Sequence, residues 1–187
     1  MTYSELMFVV IPKAVDSATP AIMAATLVFY LVSHFFKKKV PTSLLLTLFL
    51  TLVSYSFSAY SFNWDFFGNT INTYLLIVIY DMQLILLLWA LHRFLKLQAS
   101  NAYIYILVFS AINCICSSVM YIDLAWLGRA EVWWLWHVYA IVGKFIYLGI
   151  MIGLCTNKDF LNLRALWVKI VIRLNERKEL KREEGAQ

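Results

Sequence analysis

Apolar residues run almost without interruption for about twenty positions at a time, five times along the chain, and the breaks between the runs are short. The runs cover about residues 18–36, 42–61, 71–91, 101–121 and 132–155. A helix rises about 1.5 Å per residue, so each run is long enough to cross a hydrocarbon layer about 30 Å thick. Within a bilayer every backbone N–H and C=O needs a partner in the chain itself, which leaves helices as the form such runs take. The pattern predicts an all-α polytopic membrane protein with five transmembrane helices in one bundle. Pro20 and Pro41 fall near the starts of the first two runs, at first-turn positions where a missing N–H costs little.

After residue 155 the pattern changes. Phe160, Leu163, Trp167, Ile170, Val171 and Leu174 recur at helical spacing opposite Arg164, Lys169 and Arg173, with Asn157 or Asp159 as the candidate cap. Residues 156–187 are therefore expected to form a basic amphipathic helix followed by a charged tail. Arg164, Trp167, Lys169 and Arg173 are its candidate contacts with anionic lipid or with a cytoplasmic protein partner. Residues 1–17 form a short segment before the first span and lack the basic start and small-residue cleavage site of a signal peptide, so no cleaved leader is expected.

Composition excludes the soluble alternative: 62% of the 187 residues are hydrophobic and 14% charged, against about a quarter charged in soluble domains. The net charge of +5 belongs to a membrane surface rather than a nucleic acid, because of where the charges lie. Thirteen of the sixteen Lys and Arg residues fall in the linkers after spans one and three and in the segment after span five. Basic residues collect on the cytoplasmic side, which orients the N-terminus outside and the C-terminus in the cytoplasm. Aromatic residues mark the opposite boundary, with Phe62, Trp64, Phe66 and Phe67 in the second linker and Trp126, Trp133, Trp134 and Trp136 around the fourth. The odd set of Cys114, Cys116 and Cys155, all in apolar surroundings, makes no disulfide framework.

Charge inside the spans carries the candidate chemistry. Asp81 lies about 15 Å into span three and Lys144 about 18 Å into span five, counted from the same face at 1.5 Å per residue. A charged residue at a helix centre costs about 2.5–3.5 kcal/mol on insertion scales, so each is expected to face the bundle interior, water or the other. Polar positions on the remaining spans offer company: Thr47, Thr51, Ser54, Ser58 and Ser61 on span two, Ser110, Asn113, Cys114, Ser117 and Tyr121 on span four, and His137 and Tyr147 with Lys144 on span five. Hydroxyl stripes of this kind are also ordinary packing material between membrane helices. An ion pair can equally do no more than fix which helices meet. Span five also carries GxxxG at Gly149 and Gly153, turned about 140° and 180° from Lys144 at 3.6 residues per turn, a candidate helix-packing or homo-oligomer face.

Motifs for other chemistry are missing from the sequence: it has no HxxxH or HExxH metal pair, no Gly-rich phosphate loop and no GxSxG elbow. No metal or cofactor is expected, and no motif supports an enzymatic activity, which stays open as a third reading. The expectation is a channel or proton- or ion-linked transport component built on Asp81, Lys144, Asn113, His137, Ser54, Ser58, Ser117 and Tyr147. The alternative is a non-transporting scaffold that recruits a partner through its C-terminal helix.

Overall fold

A computed structural model describes residues 11–36, 40–63, 70–128 and 133–184. The structure is all-helical: α1 (Ile11–Phe35), α2 (Thr42–Asn63), α3 (Thr70–Phe94), α4 (Asn101–Ala125), α5 (Trp134–Thr156) and α6 (Leu163–Glu184). Within α1, α3, α4 and α5 the stretches Ala18–Phe35, Thr73–Phe94, Asn101–Ala125 and Trp134–Thr156 are long and apolar enough to cross a membrane, and Thr42–Ser58 of α2 is a shorter apolar helix. The chain is a polytopic bundle of membrane helices. The lysine run at 37–39, the aromatic cluster from Trp64 to Phe67, Arg129 and the N-terminal ten residues lie outside the described residues, as do the side chains of Ser61, Ile170, Val171 and Leu174.

Two local expectations change. Helix α1 is already formed at Ile11, before the first apolar run, so Pro20 lies in its interior rather than in a first turn. Pro41 is just ahead of α2, and its carbonyl accepts from the N–H groups of Leu44 (2.9 Å) and Leu45 (3.3 Å).

Consecutive helices joined by short linkers pack side by side, and α3 against α4 is the most extensive contact, followed by α4 against α5. The fourth helix is the centre of the bundle, touching α2, α3, α5 and α6. Its buried face includes Tyr103, Ile106, Ser110, Asn113, Ser117, Met120 and Leu124. Around it lies a core of Met23, Leu44, Leu48, Leu84, Leu88, Ile104, Ile106, Ile146, Ile150 and Leu154, each no more than 3% exposed. The outward faces stay apolar, with Phe29, Phe57, Leu86, Ile115 and Phe145 all more than half exposed, as lipid-facing surfaces are.

Helix α6 is fastened to the end of the bundle where α3 and α5 finish. Asn157 closes α5 in the left-handed conformation (φ 49°). Its backbone carbonyl accepts from Asn101 Nδ2 at 2.8 Å and its side-chain oxygen from the Ala102 N–H at 3.0 Å. Asp159, four residues before α6, ties its first turn down, with one oxygen accepting from the Arg164 N–H at 3.1 Å and the other from the Tyr105 hydroxyl at 3.0 Å. Tyr105 in turn accepts from the Leu161 N–H at 2.6 Å. In the first half of α6 the exposed Leu166, Val168 and Ile172 lie beside the exposed Arg164, Lys169 and Arg173. Val168 and Ile172 depart from the stripe through Leu163 and Trp167, so the apolar surface spreads wider around the helix than the sequence spacing implied.

Candidate functional site

Along α3 the buried residues Tyr74, Asp81, Leu84, Leu88 and His92 form one seam facing α4. Asp81 is eleven residues from the start of α3, and Asn113 is twelve from either end of α4. Because the two helices run antiparallel, their midpoints meet. There Asn113 Nδ2 donates to Asp81 Oδ2 at 2.7 Å, with both residues 6% exposed. A hydrogen bond this short to a carboxylate at the centre of a span supplies part of the stabilisation that water would otherwise give.

Beside the carboxylate is a narrow recess lined by Ser54, Tyr55 and Ser58 of α2, Ile77, Tyr80 and Asp81 of α3, Asn113 of α4 and Tyr147 of α5. The Tyr55 and Tyr147 rings meet edge to face at 5.9 Å, bridging α2 and α5 at its wall. Its width suits water-sized occupants, and the lining has enough hydroxyl, amide and carboxylate groups to hold them.

The structure thus gathers Asp81, Asn113, Ser54, Ser58 and Tyr147, five of the eight residues expected along an ion path. Asp81 takes its hydrogen bond from Asn113 rather than from Lys144. Lys144 is half-buried at mid-height on α5, one turn before Tyr147, and stands outside the lining of the recess. His137 is exposed. Ser117 is buried one turn from Asn113 on α4, where its hydroxyl lies 3.3 Å from the Tyr139 hydroxyl. The span-two stripe divides: Thr47 and Thr51 donate back to the carbonyls of Ser43 and Thr47, both at 2.7 Å, as packing hydroxyls do, while Ser54 and Ser58 face the recess.

Gly149 and Gly153 are consumed inside the chain. A Cβ on Gly149 would run into the Phe109 ring, and one on Gly153 would come within 3.1 Å of Tyr105 Cβ. The GxxxG face is the contact of α5 with α4, so it is not available as an oligomer face.

Comparison with protein-family models, curated proteins and solved structures finds no match for this chain.

Two buried polar groups escaped the sequence reading. At the end of the bundle nearest α6, His92 Nε2 is 2.8 Å from Ser43 Oγ, and its Nδ1 is 2.9 Å from the Leu88 carbonyl. Ser43 also donates to the Ser100 hydroxyl (3.1 Å) and accepts from the Ser100 N–H (3.0 Å), while Ser100 caps α4 by accepting from the Tyr103 N–H (3.2 Å). At the opposite end, Asp123 (3% exposed) accepts from Trp133 Nε1 at 2.8 Å. The available signal was positional: Ser43 and Ser100 open α2 and α4 just where α3 closes with His92. All three cysteines are free, and among the described residues no group of three or more His, Cys, Asp or Glu side chains is placed to hold a metal ion.

Proposed function

We propose that the protein is a proton-linked membrane transport component in which Asp81 is the proton-exchanging group. The observation that carries this reading is a carboxylate at the centre of a membrane helix, 6% exposed and held by Asn113, beside a recess of water-sized width lined by hydroxyls. Intramembrane acids are expensive and belong where protons or ions move. A carboxylate touched by one amide and a narrow polar space can take up and release a proton without rearranging the helices around it. Lys144, at similar depth on α5, would bias the charge of the interior, and the proposed midplane switch therefore runs through Asp81 and Asn113 with Lys144 as a more distant cation. The positive bias of the linkers supports an outside N-terminus and a cytoplasmic C-terminus, which puts the His92 end of the bundle at the cytoplasmic face.

The test is proton flux into vesicles holding the purified protein and a trapped pH dye, driven by a potassium diffusion potential. The wild type should conduct and Asp81→Asn should lose at least about tenfold of the rate, because Asn keeps the shape but holds no exchangeable charge. Flux equal in both proteins, or none in the wild type, refutes the proposal.

The fastened, apolar and basic surface of α6 favours a second reading, a scaffold that recruits a cytoplasmic protein. It predicts that removing residues 163–187 abolishes recruitment while leaving the five bundle helices folded.

A further inference from the structure

Beyond Asp81, the α3–α4 seam carries a second polar group on the same stripe. Asp81 and His92 are eleven residues apart on α3, three helical turns, so they share a face about 16 Å apart along the axis. Between them lie Leu84 and Leu88 of α3, Leu44 and Leu48 of α2 and Ile106 of α4, each 2% exposed or less. Two buried polar stations are thus separated by a dry layer.

The His92 station has an arrangement that can accept a proton with its partners already in place. A carbonyl only accepts, so the Nδ1 contact with Leu88 O fixes a proton on Nδ1. The Ser43 hydroxyl donates to Ser100 Oγ, so the Nε2 contact is one in which Nε2–H donates to Ser43, the imidazolium arrangement; in the neutral ring the Ser43 hydroxyl turns from Ser100 to Nε2. The 2.8 Å contact serves both arrangements and the Ser100 N–H holds Ser43 in each, so protonation redirects one hydroxyl without dispersing the cluster. The Tyr103 ring lies 3.9 Å from the imidazole, centroid to centroid, tilted 30°, where its face favours a cation. Of the groups that meet the imidazole, α2 supplies the Ser43 hydroxyl, α4 the Ser100 hydroxyl through Ser43 and the Tyr103 ring, and α3 the Leu88 carbonyl. Arg93, next to it in sequence, is exposed. The C-terminal turn of α3 favours a positive ring, while the N-termini of α2 and α4 oppose it.

An independent observation lies in the dry layer. Ser110, 0% exposed, is on the α4 face between Tyr103 and Ser117 at seven-residue spacing, and its hydroxyl has no hydrogen-bond partner among the described residues. Buried hydroxyls normally have partners. One left open between two protonatable groups is a foothold for a transient water.

We propose that His92, with Ser43 and Ser100, is a second proton-binding station in series with Asp81, and that Ser110 makes the leucine layer between them crossable. The proton passes from the Asp81 carboxyl to water at Ser110 and on to the Ser43–His92 cluster, which releases it at the end of α3. The inference rests on the transport reading above, and the experiment separates their failures.

Full-length protein with ¹⁵N-labelled histidine is reconstituted in lipid bilayers for magnetic resonance, with His92→Gln used for assignment, and proton flux is measured for the same preparations. The expected result is that His92 passes between the Nδ1–H neutral ring and the imidazolium within pH 5–8, the interval in which histidine ordinarily changes charge. His92→Gln should cut flux about tenfold or more, and Ser110→Ala should cut it severalfold with His92 still titrating. If Asp81-dependent flux persists at the wild-type rate in His92→Gln, or His92 stays in one neutral form while protons flow, the second station is overturned and the Asp81 reading stands. If the wild type carries no flux, both fall together.

Discussion

Removing the amide that holds Asp81 should cost more when a carboxylate is there to be held than when an amide replaces it. The perturbation is Asn113→Ala, made alone and in an Asp81→Asn background, with Asp81→Asn as the fourth corner of the cycle. The bond is 2.7 Å long and both residues are 6% exposed, so water can replace a lost partner only through the narrow recess beside them. Hydrogen bonds to charged groups contribute about 1.5–3 kcal/mol, whereas interhelical bonds between neutral groups in membranes average about 0.6 kcal/mol. Asn113→Ala should therefore destabilise the wild type by about 1.5–3 kcal/mol and the Asp81→Asn protein by about 0.6 kcal/mol, leaving a coupling of about 1–2 kcal/mol. Unfolding in mixed micelles, followed by near-ultraviolet circular dichroism at alkaline pH where the carboxyl is ionised, measures all four corners. A coupling below about 0.3 kcal/mol, within the usual additivity error, would refute the argument that Asn113 stabilises an ionised Asp81.

Four further outcomes follow, three from packing and one from surface charge. Gly149→Ala should destabilise by about 1–3 kcal/mol through overpacking against Phe109. Gly143→Ala, where an added Cβ meets nothing within 4 Å, should be neutral or stabilising by up to about 1 kcal/mol; equal losses in the same micelle assay would contradict the packing of α5 on α4. Tyr105→Phe removes the hydroxyl that joins Leu161 to Asp159, so amide exchange over the start of α6 should accelerate while exchange in α3 and α4 stays unchanged; uniform acceleration would point to global loosening instead. Charge neutralisation at Arg164, Lys169 and Arg173, at about 1 kcal/mol per basic residue near anionic lipid, should weaken α6 association with an anionic leaflet by roughly 3 kcal/mol, read from a spin label at position 168 in nanodiscs with and without anionic lipid. A label equally immersed in both lipids and in both proteins would remove lipid charge from the account.

The membrane bundle was legible because uninterrupted apolar runs admit one backbone form in lipid, and the residues that ended up around the recess were legible because Asp81, Asn113, Ser54, Ser58 and Tyr147 are polar at matching depths. Depth alone does not say which helices touch. Asp81 and Lys144 match in height, yet α3 lies along its sequence neighbour α4, so the amide of Asn113 reaches the carboxylate. The same missing information concealed the destination of Gly149 and Gly153: spacing placed them away from Lys144, and only the packing shows that Phe109 and Tyr105 fill that side. No motif in the sequence marked out His92, because its partners, Ser43 and Ser100, are distant along the chain and come together only when three helix ends meet.

Infrared difference spectroscopy on the reconstituted protein after a rapid pH jump addresses the central claim most directly, because it observes the Asp81 proton itself. The account predicts a carboxyl C=O band that appears and decays on the timescale of proton flux and is missing from Asp81→Asn. A carboxyl spectrum that stays constant through the jump, or a transient band that survives in Asp81→Asn, would contradict it.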